Sequence, residues 1–123
     1  MSPKTLSIVK ENILDKKLDN KKSNRFIKLL SIYDGKRYKY LYPGTIVSKV
    51  GISMKDCYLI LEEIEKLNII EKAFEVYCPR CKYSTNLFSS SIKELPDEMI
   101  CDNCFHEFDT LDGAIVLYKV IAL

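Results

Sequence analysis

Two cysteine pairs, Cys78-Pro79-Arg80-Cys81 and Cys101-Asp102-Asn103-Cys104, constrain this chain more than any other feature. A two-residue gap lets both thiolates of a pair reach one tetrahedral ion. The 19 residues between the pairs, 82–100, suffice for a strand pair or loop that returns the second pair to the first. The spacing predicts a structural Zn2+ held by Cys78, Cys81, Cys101 and Cys104. Four thiolates on one zinc ion leave no position for water or substrate, so such a site holds architecture together and performs no hydrolysis. A disulfide framework is the other use of four cysteines. The paired spacing and a fifth, unmatched cysteine at position 57 suit a metal and one free thiol better.

The cysteine usage, with no signal-peptide pattern over residues 1–10, leads us to expect a cytoplasmic protein. No apolar run approaches the roughly 18 residues a membrane-crossing helix needs, so no membrane partner is expected. The net charge of +2 conceals an asymmetry. Residues 1–55 carry 13 Lys and Arg against 4 Asp and Glu, a balance of +9, whereas residues 56–123 carry 6 against 13, a balance of −7. A basic half and an acidic half predict two different contact surfaces, or self-association head to tail; solvated helix faces are the plain alternative. The apolar 114–123 strand is expected to be covered by a partner subunit, a second copy in a homodimer, or the N-terminal helix. There is no Ser-His-Asp set, no phosphate-cradling glycine loop and no carboxylate pair with a base, so no enzyme activity is expected.

Periodicity supplies the elements. Ser2-Pro3 predicts an N-cap and first helical residue, followed by Leu6, Val9, Ile13 and Leu14 at helical spacing. The 20–24 segment is expected to cap a second helix that buries Phe26, Leu29, Leu30 and Tyr33 and stops at Asp34-Gly35. Lys36–Tyr42 reads as a short strand, with Tyr38, Tyr40 and Tyr42 alternating inward. A short helix over Thr45–Val50 ends at Gly51, and a longer one capped by Ser53 runs through Leu67. Strands are expected at Ile69–Tyr77 and over 114–123, the latter after a turn at Asp112-Gly113.

The stretch GTIVSKVGISMKDCYLILEEIEKLNII, residues 44–70, resembles the helix-turn-helix half of winged-helix proteins. Followed by a four-cysteine ribbon, the order of elements also resembles the alpha subunit of general transcription factor IIE and its archaeal counterpart. The resemblance implies an α+β fold, a winged helix with a zinc ribbon inserted in the wing, plus an N-terminal helix. Its parts would be residues 1–22 (N-terminal helix and linker), 23–77 (winged-helix core), 78–113 (zinc ribbon) and 114–123 (returning wing strand packed on the core). Ribbons of this kind commonly have glycine after the second cysteine of each knuckle. Here Lys82 and Phe105 stand there, which predicts mild backbone strain. Asn68 replaces the glycine usual before the wing strand and tolerates the left-handed conformation.

In the winged-helix reading the longer helix would be the recognition helix. Cys57, Ile60, Leu61, Ile64 and Leu67 form its core face; Tyr58, Leu59, Glu62 and Glu63 face outward. Carboxylates there oppose duplex phosphates, so we expect a larger protein partner to dock on Tyr58, Leu59, Glu62 and Glu63. Nucleic acid is the alternative partner, held by Lys36, Arg37, Lys39 and Tyr40, where cations and aromatics interleave. The expected function is thus a non-catalytic, zinc-stabilised adaptor or regulatory subunit, the alternative being a DNA-binding transcriptional regulator.

Overall fold

The structure is a computed structural model that describes residues 1–122. The fold is α+β. The chain divides into two compact units: residues 1–71 with the segment from Tyr118 onward, and residues 72–117.

In the first unit, Ser2 accepts the Thr5 N–H at 3.2 Å and Pro3 opens the first helix. This helix, α1, is α-helical over Pro3–Val9, widens to π-helical geometry over Lys10–Leu14 and closes over Asp15–Lys17. The second helix, α2, spans Asn20–Leu30 and is capped by Asp19, whose carboxylate accepts the Lys22 N–H at 2.8 Å. The expected capping segment, 20–24, is therefore already helical, because an aspartate one residue earlier satisfies the free N–H groups. Asp15 ties the two helices together, accepting from Ser23 Oγ at 2.8 Å and Lys10 Nζ at 3.1 Å.

Helix α3 spans Pro43–Ile46 and continues in π-helical geometry over Val47–Gly51; α4 spans Met54–Lys66. Gly51 takes φ 82, the left-handed conformation that ends one helix and lets Ser53 cap the next, with Ser53 Oγ 3.1 Å from the Asp56 N–H. The core of this unit includes Val9, Leu14, Phe26, Leu30, Leu41, Ile46, Val50, Ile60, Leu61, Ile64 and Tyr118, all at most 1% exposed. Burying each such side chain contributes about 1.5–3 kcal/mol. Leu67 departs from the expected core face. It lies beyond the last helical turn and is 42% exposed, because the chain leaves the helix there and Asn68 reverses it at φ 60.

The strand expected over Lys36–Tyr42 shrinks to β1, Tyr40–Leu41. Asp34 is the reason: its carboxylate captures the N–H groups of Lys36, Arg37 and Tyr38, folding the segment into a loop before it can extend. The alternation fails with it, since Leu41 is the buried residue, Tyr40 and Tyr42 are half-buried and Tyr38 is exposed.

Strand β2 spans Ile70–Tyr77 and β3 Ser84–Ser89; a one-turn 3-10 helix, Ile92–Glu94, precedes β4, Glu98–Ile100. Strand β5, Glu107–Asp109, leads into a short helix α5, Thr110–Gly113, where a simple turn was expected, and then into β6, Ala114–Val120. Leu123, the end of the expected 114–123 strand, lies outside the described residues. One sheet has the order β1-β6-β2-β3 and a second pairs β4 with β5 antiparallel. Among the described residues, no helix is long and apolar enough to cross a membrane.

Candidate metal centre

Each cysteine pair sits in a tight knuckle with the same hydrogen-bond pattern. In the first, the Lys82 N–H donates to the Cys78 carbonyl at 2.9 Å and the Cys78 N–H donates to the Tyr83 carbonyl at 2.9 Å. In the second, Phe105 donates to Cys101 at 2.8 Å and Cys101 to His106 at 2.9 Å. Closing each turn forces the residue after the second cysteine into the left-handed region, with Lys82 at φ 66 and Phe105 at φ 60. These are the two positions where glycine would be comfortable, so the strain expected from the sequence is present in the backbone. Asn68 likewise adopts φ 60.

The knuckles bring four sulfurs together. Every Sγ of Cys78, Cys81, Cys101 and Cys104 lies within 4.8 Å of the others. Across the knuckles, Cys78 Sγ is 3.7 Å from Cys104 Sγ, and Cys81 Sγ is 3.5 Å from Cys101 Sγ. Both separations far exceed a disulfide bond of about 2.05 Å, and all five cysteines are free. Backbone N–H groups point at the sulfurs: Cys81 N is 3.5 Å from Cys78 Sγ, and Asn103 N and Cys104 N lie 3.4 and 3.5 Å from Cys101 Sγ. Such donors favour thiolates and orient metal ligands.

The backbone around the sulfurs sets two of the thiols apart. The backbone N–H of Tyr83 leads the effects that bring the Cys81 thiol down to about 6. The N–H of His106 works the same way on Cys104, but desolvation and the neighbouring sulfurs outweigh it and push that thiol up to about 11. Thiolates this close repel one another, and a bound cation would offset that repulsion. Together, the geometry and donor set are compatible with a bound metal ion.

Packing builds the site into the second unit. Cys78 and Cys101 are buried in one apolar cluster with Val76, Leu95 and Phe108, while Cys81 and Cys104 are partly exposed. His106 lies outside the sulfur cluster, with its ring stacked 6.1 Å from that of Phe108. Cys57 sits apart in the first unit, fully buried, its thiol raised to about 11 by desolvation and directed at the Pro43 carbonyl 3.7 Å away.

The other sequence-predicted site residues fall into two groups. On α4, Leu59 is 45% exposed, Glu62 is exposed and Tyr58 is half-buried. Glu63 is partly committed within the unit, with its carboxylate 3.5 Å from Lys17 Nζ. Sequence reasoning missed that pairing, because the partners lie 46 positions apart and no local pattern links them. In the 36–42 segment, Lys36, Arg37 and Lys39 are exposed, whereas Tyr40 is half-buried in β1. Compared with protein-family models, curated proteins and solved structures, the chain has no significant match.

Proposed function

We propose that this chain is a non-catalytic winged-helix adaptor whose wing carries a structural zinc ribbon and whose α4 helix docks a larger protein partner. Three features support the winged-helix reading. The helices precede the long strands, α3 and α4 meet at a Gly51-Ile52-Ser53 turn, and β6 lies between β1 and β2 in the sheet. That is also the order on which the resemblance to the transcription factor IIE alpha subunit rests. Zinc is supported by metal size. With zinc–sulfur bonds of about 2.3 Å, the edge of a tetrahedron is about 3.8 Å, close to the 3.5 and 3.7 Å separations across the knuckles. A reducing, cytoplasmic setting would keep the four thiols available to the ion.

The outer face of α4 carries the functional proposal. Met54 and Leu59 are each 45% exposed there, beside the exposed carboxylates of Asp56 and Glu62. Apolar side chains rimmed by charge suit a protein interface, and the carboxylates repel duplex phosphates. A photo-crosslinking residue at the exposed position 54 should capture one discrete partner in the native cell, and adding L59D or E62R should abolish capture. Undiminished capture by both variants would reject this face.

A DNA-binding regulator is the second reading, favoured by the exposed Lys36, Arg37 and Lys39 on a loop fixed by Asp34. It requires salt-dependent duplex binding that the triple neutralisation K36Q/R37Q/K39Q weakens. Failure to bind duplex even at low salt removes it.

A further inference from the structure

The ribbon carries a surface that the metal does not explain. In the β4–β5 pair, Glu98 stands opposite Asp109 and Ile100 opposite Glu107. One face of this two-stranded ribbon therefore presents three carboxylates and an isoleucine, all exposed, while Met99 and Phe108 take the other face. Like charges directly opposite one another weaken strand pairing. Among the described residues, none of the three carboxylates has an ion-pair partner. From Glu94 to Asp112 the sequence has seven acidic residues and no Lys or Arg. A cleft of about 640 Å³ runs beside this face, its lining including Glu98, Glu107, Asp109 and Asp112. Phe105, in the turn joining the two strands, is 78% exposed and held at φ 60. An unpaired anionic face and an exposed aromatic in a strained backbone both cost stability, so both point to an occupant.

A complementary surface exists on the same chain. Asp34 Oδ1 accepts N–H bonds from Lys36 at 2.9 Å, Arg37 at 2.9 Å and Tyr38 at 3.2 Å. The Tyr38 ring meets the buried Tyr33 edge-on at 6.2 Å. The loop is thereby fixed in one shape, with Lys36, Arg37 and Lys39 exposed and Tyr38 46% exposed. Three cations and a half-exposed aromatic on a prearranged loop match three anions, Ile100 and Phe105 on a rigid ribbon. Prearrangement on both sides lowers the ordering cost of association.

We propose that the β4–β5 face of one copy receives the 36–39 loop of a second copy, so that the chain self-associates through unlike, oppositely charged surfaces. The contact is heterologous, and its electrostatic part weakens as salt shortens the screening length.

Sedimentation of the metal-loaded 123-residue chain over a concentration series tests this. Association is expected at low salt and should be lost by about 0.5 M salt. The loop variant K36E/R37E/K39E and the ribbon variant E98K/E107K/D109K should each associate at least about tenfold more weakly. Mixing the two should restore association, since each then supplies the charge the other lacks. F105G should also weaken association while leaving the fold intact. A wild-type chain that stays monomeric at low salt, variants that associate like the wild type, or a mixture that stays monomeric would each overturn the proposal. Loss of partner capture through Leu59 would leave all these readings unchanged, so the two proposals fail separately.

Discussion

Gly113 lies so close to Tyr77 that a Cβ added there would come within 1.8 Å of the Tyr77 carbonyl oxygen. Tyr77 is the last residue of β2 and directly precedes Cys78, and Gly113 directly precedes β6. The strands that enter and leave the ribbon therefore approach backbone to backbone at its base. The obstructing atom is a carbonyl, not a flexible side chain, so the chain itself must move to admit a methyl group. G113A should cost about 3 kcal/mol or more of stability, measured by chemical denaturation, whereas G44A, at an exposed helical position where a Cβ would meet nothing within 4 Å, should cost nothing or raise stability slightly.

The two knuckle residues make an opposite prediction. Lys82 and Phe105 occupy left-handed backbone at a cost of about 1–2 kcal/mol each. Glycine removes that strain but loses about 0.5–1 kcal/mol through its freer unfolded chain. K82G and F105G should each raise stability by up to about 1 kcal/mol. N68G should gain less, because asparagine already tolerates φ 60. Thermal or denaturant unfolding of the three variants would rank them.

The knuckles were legible in the sequence because their chemistry is local. Two-residue gaps, the residue after each second cysteine and Asn68 are all set within a few positions, and the backbone follows. The Ser2 and Ser53 caps were legible for the same reason. What misled was competition between local signals. The alternating aromatics of 38–42 favour a strand, but Asp34 reaches three N–H groups first and leaves only Tyr40–Leu41 to pair. Asp19 takes the cap expected of residues 20–24. Long-range pairings such as Lys17 with Glu63, and the like-charged register of Glu98 with Asp109, have no signature along the chain. The run of acids from Glu94 to Asp112 was the available signal for the latter.

A pH dependence follows from Tyr118. Desolvation, aided by the nearby Glu65 and Glu62 carboxylates, raises its phenol to about 12 from an ordinary 10.0. The folded state thus keeps the proton that the unfolded chain releases first. This contribution to stability is complete below pH 10 and disappears as the pH climbs from 10 towards 12. Y118F should flatten that part of the stability profile. Tyrosinate absorbance of the wild type minus Y118F should show one phenol titrating late among the eight tyrosines.

Thiol reactivity should divide the five cysteines into four and one. With metal bound, all five should react slowly with a thiol reagent. After chelation, Cys78, Cys81, Cys101 and Cys104 should react together, whereas Cys57, fully buried and raised to about 11, should react only on global unfolding. Early reaction of a fifth thiol would show that the core around α4 opens with the metal site.

Metal content of the purified chain tests the central claim most directly. Elemental analysis should find one zinc per chain, absent from C78S and C101S. Because structural zinc contributes on the order of 10–16 kcal/mol in small domains, its removal by a chelator should unfold residues 72–117. Metal-free wild-type protein that retains a folded ribbon would contradict the account.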